Sequence, residues 1–312
     1  MQSSSSLFPV ALVATEMAGE LHEDVYQLNP GISVDPTVRL AVTRVTDPAW
    51  AGERAPVVLL HSEFHNKRQW LSPRGEGFAA LLARYGFDVW LPEMRGHGMS
   101  PPNQQWARGH QSLLAQEDLP PIHRFVSEQT GRSPVWIGRG LGARLIACGI
   151  IENNLLLRYV PGVVFIEPGN PRSHWTEKHL SVFERWGLAR RDRMNGRERG
   201  WGPEDEPALL FRELYRAQRR SGRNRKHPVY DRLRVIRCPS LVVSMGKDEE
   251  TRHFAGLLGG QIRQTLLSHR YDEDVVLEVK GSDVPLAMQN DIRAWLDEAC
   301  RHMDTSPVEQ RL

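Results

Sequence analysis

Residues 135 to 151 most narrow what this chain can become. Val135-Trp136-Ile137 is an apolar run, Gly138-Arg139-Gly140-Leu141-Gly142 follows with glycine at every second position, and Ala143 to Ile151 continues as an apolar helical pattern. No residues are left between strand and helix for an ordinary loop, so the backbone must reverse in one sharp turn. Glycine suits such a turn, because it enters positive φ without penalty and lets neighbouring backbone approach closely. A strand that turns directly into a buried helix is a unit of a helix-covered parallel sheet.

The rest of the chain repeats that rhythm. Short apolar runs of strand type lie at Val38 to Val45, Val57 to His61, Phe87 to Leu91, Val135 to Gly138, Val163 to Glu167, Leu241 to Met245 and Val275 to Val279. Helical spacing separates them, at Gly77 to Tyr85, Leu119 to Gln129, Leu141 to Ile151, Thr251 to Leu267 and Pro285 to Cys300. The alternation predicts an α/β protein with a mostly parallel, doubly wound sheet. One stretch, from about Asn170 to Arg237, has no strand pattern but carries helical pieces with Trp175, Phe183, Trp186, Leu209, Phe211, Leu214 and Tyr215. An insertion of that kind reads as a helical cap over the strand ends. The expected organisation is an N-terminal segment at 1–37, a core formed by 38–169 and 238–303, a cap at 170–237 and a tail at 304–312.

Charge is unevenly spread. The chain carries +2 overall. From Arg185 to Arg237, however, sixteen Lys or Arg against seven Asp or Glu leave +9, so the remainder is −7. Arg190, Arg191, Arg219, Arg220, Arg223, Arg225 and Lys226 form the densest basic clusters, suited to an anionic partner; the competing reading is a solvated face, or pairing with acids such as Glu204-Asp205-Glu206. Three widely spaced cysteines, Cys148, Cys238 and Cys300, argue for a reducing compartment and structural roles. The apolar stretch Leu7 to Ala14 contains a proline and has no preceding Lys or Arg, which makes it a poor signal peptide, and it is too short to span a bilayer. Residues 1 to 6 read as a flexible end. The expectation is a cytoplasmic protein with no membrane span and no cofactor.

Three motifs in order then carry a resemblance. Leu60-His61-Ser62-Glu63-Phe64 closes an apolar strand; Glu93-Met94-Arg95-Gly96-His97-Gly98-Met99-Ser100 follows the next one; Gly138 to Gly142 is the turn described above. Together they resemble the α/β-hydrolase superfamily, in its esterase, lipase and lysophospholipase branches, over about Val38 to Cys300. The first is similar to the His-Gly segment that supplies an oxyanion-hole amide. The second is similar to the Asp-x-Arg-Gly-His-Gly-x-Ser turn, and the third to the Gly-x-Ser-x-Gly nucleophile elbow. The resemblance implies an α/β-hydrolase fold with a helical cap.

It also implies where a catalytic triad belongs, and there the chain departs from the family. The elbow position holds Gly140 instead of serine. The acid falls in Gly246-Lys247-Asp248-Glu249, at Asp248 or Glu249. The base position, in Lys280-Gly281-Ser282-Asp283, holds Asp283 instead of histidine. Glycine offers nothing to attack with, and a carboxylate with a pKa near 3.9 is a weak base at neutral pH. The expected outcome is a noncatalytic hydrolase-fold protein kept for binding. Its small apolar, carbonyl or carboxylate ligand would contact Glu63, Phe64, Gly140, Leu141 and Asp283, with the amides of Glu63 or Phe64 and of Leu141 as donors.

Three alternatives compete with that expectation. Gly138-x-Gly140-x-x-Ala143 with Glu167 also fits a weak dinucleotide fingerprint. His61, His65, His97, Asp248 and Asp283 can be read as a relocated acid-base set, against the plainer reading that His61 and His97 hold their own loops. His61, Glu63 and His65 lie at metal-ligand spacing, but on a strand end and loop, so no metal site is expected.

Overall fold

The computed structural model describes residues 5–152, 160–168, 187, 190–221, 230–244, 249–260, 262–265 and 286–304. Strands β1 (Val10–Ala18), β2 (Leu21–Leu28), β3 (Leu40–Thr46), β4 (Pro56–Leu60), β5 (Asp88–Pro92), β6 (Val135–Arg139) and β7 (Val163–Ile166) precede the cap. A two-residue ribbon in the cap supplies β8 (Arg193–Met194) and β9 (Glu206–Pro207), and β10 (Ser240–Val243) and β11 (Ile262–Thr265) follow it. Nine strands form one sheet in the order β1-β2-β3-β5-β4-β6-β7-β10-β11. The β1-β2-β3-β5 side is antiparallel, and every pairing from β5 through β4 to β11 is parallel.

The apolar runs become central strands because both of their faces are covered. Every residue of β4, β5, β6, β7 and β10 is buried, as parallel sheets require. Alternate residues serve separate cores. Val58, Leu60, Trp90, Trp136, Phe165 and Val242 point to one side, and Val57, Leu59, Val89, Ile137, Val164 and Val243 to the other. Helices α1 (Phe78–Arg84), α2 (Gln111–Glu117), α3 (Leu119–Thr130) and α4 (Leu141–Ile151) come before the cap. The cap contributes α5 (Gly196–Arg199) and α6 (Ala208–Ser221), and α7 (Glu249–Leu257) and α8 (Leu286–Asp304) complete the body. In α6, Leu210, Phe211 and Leu214 are buried at helical spacing and join the core on the Trp136 side.

The chain differs from its sequence reading in several places. Leu7 to Ala14, weighed above as a targeting segment, overlaps β1, and β1 and β2 form an antiparallel hairpin at the sheet edge. Ser5 and Ser6, assigned to a flexible end, donate hydrogen bonds to the Glu128 carboxylate. The helix expected from Thr251 to Leu267 stops at Leu257; Gly259 and Gly260 follow it, and 262–265 pairs with β10 as a strand. The cap contains the β8-β9 ribbon where no strand was expected. Val275 to Val279, Trp175, Phe183 and Trp186 lie outside the described residues.

Candidate functional site

Gly140 sits at the junction of β6 and α4 with φ 52° and ψ −116°. That conformation is strained for a residue with a Cβ and easy for glycine. Gly142 permits the helix to press on the sheet: a Cβ there would lie 2.5 Å from the Leu60 carbonyl oxygen and 2.6 Å from that of His61. The turn is pinned by Gly140 N donating to Ile166 O at 3.0 Å. The first amide of α4, that of Leu141, stands at a helix N-terminus, a place that attracts anions.

A carboxylate of the chain occupies that amide. Leu141 N donates to Glu63 Oε2 at 3.0 Å, and Glu63 is buried. Glu63 reaches it from the loop after β4, which is held by Ser62 N donating to Gln69 Oε1 and Gln69 Nε2 to Ser62 Oγ. The neighbouring Phe64 has φ 60°, and its own amide is also taken: Phe64 N donates to Glu206 Oε1 at 2.8 Å. Glu206 is 0% exposed and comes from β9 of the cap. Of the amides expected to serve a ligand, those of Leu141 and Phe64 are therefore each bonded to an internal carboxylate. Both contacts are hydrogen bonds to an ionisable oxygen, the stronger kind when it is charged.

The cap clamps this loop from above. Phe64 O accepts from Glu204 N at 3.0 Å, and the Phe64 ring packs 5.3 Å from Trp201 and 5.9 Å from Phe211. Glu204 also accepts from Asn66 Nδ2 and from Gly98 N, while Asp205 accepts from Gly196 N and pairs with Arg193 within the cap. Thus two members of the acidic trio, Glu204 and Glu206, fasten the cap to the body, and the third braces the cap itself. Arg190 and Arg191 are exposed. Arg219 and Arg220 lie on α6, their side chains beyond what is described, and Arg223, Arg225 and Lys226 fall outside the described residues, as do Asp248 and Asp283. Glu249 is the first residue of α7.

The two histidines of the motifs have opposite charge states, and each is tied to its loop. His61 Nε2 accepts from Met94 N at 3.1 Å, so it carries no proton, and Nδ1 lies 2.8 Å from Ser62 O, where it donates. Burial and then the charge of His97 hold its pKa well below the ordinary value. His97 faces an acceptor on both sides, Arg95 O at 3.0 Å and Glu206 Oε1 at 3.2 Å. Burial opposes its charge, but Glu206 beside it prevails and lifts the pKa to about 9. His97 is therefore an imidazolium paired with the carboxylate that caps Phe64. His65 Nδ1 lies 2.7 Å from Glu63 O and 3.2 Å from Ser62 Oγ, a loop-closing position.

This pairing predicts a pH dependence of stability. Because the folded pKa of His97 is raised, its contribution is complete below the unfolded value near 6.5 and is lost as pH rises toward 9. Its size is on the order of 3 kcal/mol. His61 and His123, the latter lowered to about 4 by burial, remove stability in the other direction, as pH falls below 6.5. Urea midpoints are expected to fall between pH 6.5 and 9 in the native chain and to stay nearly level over that window in His97→Gln.

The remaining motif residues build the scaffold. Glu93, at the place of the family's aspartate, accepts from Lys67 N at 3.1 Å and Met99 N at 2.9 Å, and burial raises its pKa. Ser100 Oγ ties the Glu93 carbonyl to Ala41 N. Arg95 pairs with Asp118 and Glu117. Glu167, weighed as a ribose acid, is buried, and its Oε2 is 3.3 Å from both Arg139 Nε and Nη2. The pair lies in the middle of the sheet, and the dinucleotide reading gains nothing from it. Sequence reasoning had Glu206 only as one of an acidic trio that could pair with cap charges; its bonds to Phe64 N and His97 were not anticipated.

A mostly parallel sheet with a strand-turn-helix elbow at its centre, a buried loop after the adjacent strand and a cap packed on that loop fits the α/β-hydrolase class. Residues 57–291 match the alpha/beta hydrolase family, and the chain belongs to it. Among curated relatives it is 29% identical over 126 residues to lipase member N of Mus musculus, covering 34% of this chain and 30% of that one. It is 33% identical over 108 residues to a tear acid lipase-like protein of Mesocricetus auratus, covering 31% and 27%. It is 28% identical over 134 residues to triacylglycerol lipase 2 of Arabidopsis thaliana, covering 40% and 32%. The chain thus spans about a third or less of the length of these relatives. The fold is also that of DcsB in complex with its substrate analogue (TM-score 0.57, 13% identity, 84% of this chain and 95% of that one). It is shared with Est1E of Butyrivibrio proteoclasticus with ferulic acid bound (TM-score 0.52, 13% identity, 85% and 96%). No described helix is long and apolar enough to cross a membrane.

Proposed function

We propose that this chain is a noncatalytic α/β-hydrolase-fold protein, retained for binding. The observation that carries the reading is the Leu141 amide bonded to Glu63 Oε2. An acyl-transfer enzyme keeps that donor for the oxyanion of its transition state, since electrostatic preorganisation there is a large part of catalysis. Here the position is filled by a side chain that a substrate carbonyl would have to expel. The Phe64 amide, bonded to Glu206, supports the same conclusion from the cap side.

Gly140 at the elbow and Asp283 at the assigned base position agree with it. Triad members act as a unit, so losing nucleophile and base together leaves little. The reading that His61 and His97 perform relocated acid-base chemistry is disfavoured by their bonds: each spends both ring nitrogens on the loops and the cap.

Short p-nitrophenyl esters test the reading. The purified chain is expected to give neither a burst nor turnover above buffer. Turnover at ordinary enzymatic rates, on the order of 10 s⁻¹, and abolished by Asp283→Ala, would overturn it.

A further inference from the structure

A cavity of about 220 Å³ lies away from the elbow, between the turn after β5, the helix α2 and the cap ribbon. Gly140, Leu141 and Glu63 take no part in its wall. It is small beside the roughly 300–1,000 Å³ of drug-sized sites, so a single ring or a short alkyl chain suits it better than a long one. Most of the wall is apolar: Met94, Trp106, Leu113, Leu114, Pro207 and Leu210. Such a wall favours an apolar body, and the few polar groups around it decide what head group that body carries.

The polar residues of the wall divide by depth. The deeper ones are engaged within the protein. The Asp35 carboxylate accepts from Thr37 N, Asn103 Nδ2 and Gln105 N; Arg95 is paired with Asp118 and with the half-buried Glu117; His97 lies between Arg95 O and Glu206 Oε1. Asn103 Oδ1 and Glu206 Oε2 have no partner among the described residues, but they have essentially no accessible surface either, so neither meets a ligand. The accessible polar residues are Ser33, half-buried, and Gln105 and Arg108, both exposed. All three bring donors. Ser33 Oγ accepts from Asp35 N at 3.2 Å, which leaves its O–H to donate. The Arg108 guanidinium reaches only Gln105 Oε1, at 3.5 Å, and has no carboxylate partner among the described residues. An exposed arginine is ordinary on a surface. Beside an apolar cavity whose other charged groups are all engaged, it sets the sign of the head group.

We propose that this cavity binds a small amphipathic anion, an aryl- or alkyl-carboxylic acid in its ionised form. The apolar body lies against Trp106, Leu113 and Leu210, and the carboxylate stays at the accessible side, paired with Arg108 and supported by the donors of Ser33 and Gln105. A guanidinium offers a carboxylate two parallel N–H···O bonds, which fix its orientation as well as its charge. The neutral amide of the same acid loses the charged pair and binds more weakly. An amine of the same length sets cation against cation and is rejected. The site is separate from the Leu141 and Phe64 amides, which are filled from within, and it works whether or not the elbow is catalytic.

Calorimetric titration of the full chain at pH 7.5 with 3-phenylpropanoate, 3-phenylpropanamide, 3-phenylpropylamine and acetate tests the proposal. The carboxylate is expected to bind at least about tenfold more tightly than its amide, with no detectable binding of the amine or of acetate, which lacks the apolar body. Arg108→Gln, a change at an exposed position, is expected to bring 3-phenylpropanoate down to the level of the amide and to leave the amide itself unchanged. An amide, amine or acetate that binds as tightly as 3-phenylpropanoate, binding of none of the four, or unchanged 3-phenylpropanoate binding in Arg108→Gln would each overturn the proposal.

Discussion

Glu206→Ala is expected to cost about 3–5 kcal/mol of folding stability at pH 6.5, the usual cost of removing one partner of a buried charged pair. Two groups lose their acceptor at once: the His97 imidazolium and the Phe64 amide. Against a total of about 5–15 kcal/mol for a typical domain, this is enough to loosen the cap. The loss must itself depend on pH. At pH 9 and above the native His97 is losing its proton, so the native chain has less to lose and the gap between the two proteins narrows. Glu206→Gln keeps an acceptor for Phe64 and is expected to fall between the two. Urea denaturation of the three proteins at pH 6.5 and 9 provides the comparison; equal losses at both values would contradict the charge assignment of His97.

The second large effect is a gain. Gly140→Ser with Asp283→His supplies a nucleophile and a base at the positions the family resemblance assigns, yet that double variant is expected to remain inert toward p-nitrophenyl acetate. Glu63 still occupies the Leu141 amide in it. Adding Glu63→Ala frees the donor, and the triple variant is expected to hydrolyse the ester roughly a hundredfold faster than the double. The serine itself carries a cost of about 1–3 kcal/mol, because φ 52° with ψ −116° disfavours any side chain. Equal rates in double and triple variants would mean that Glu63 is not what closes the site.

The central strands were legible because their burial is two-sided. Pro56 to Leu60 and Val135 to Ile137 are continuous apolar runs, and no other environment suits them. The edges were not. β1 exposes most of its residues, so burial imposes no pattern on it, and it read as a terminal apolar stretch. β11 is the polar Ile262-Arg263-Gln264-Thr265, joined to the preceding helix by Gly259 and Gly260, which were the only local sign that the helix had ended. The elbow and the turn after β5 were legible as motifs because their glycines answer to local backbone geometry.

The carboxylates that fill the site were not legible, for a different reason. Glu63 is 78 residues from Leu141, and Glu206 is 142 from Phe64. No periodicity links such positions. Glu63 was read as a residue of the loop after an apolar strand, and only the fold reveals that its carboxylate bonds the amide at the helix N-terminus.

The NMR resonances of the Leu141 and Phe64 amides report directly on whether the two carboxylates hold them. In the native chain the amide protons of Leu141 and Phe64 are expected well downfield, as donors to carboxylates. Glu63→Gln should move the Leu141 resonance upfield and leave Phe64 in place, and Glu206→Gln should do the reverse. If neither substitution moves its partner's amide, the carboxylates do not hold the oxyanion positions, and the claim that this hydrolase fold has closed its own reaction centre fails.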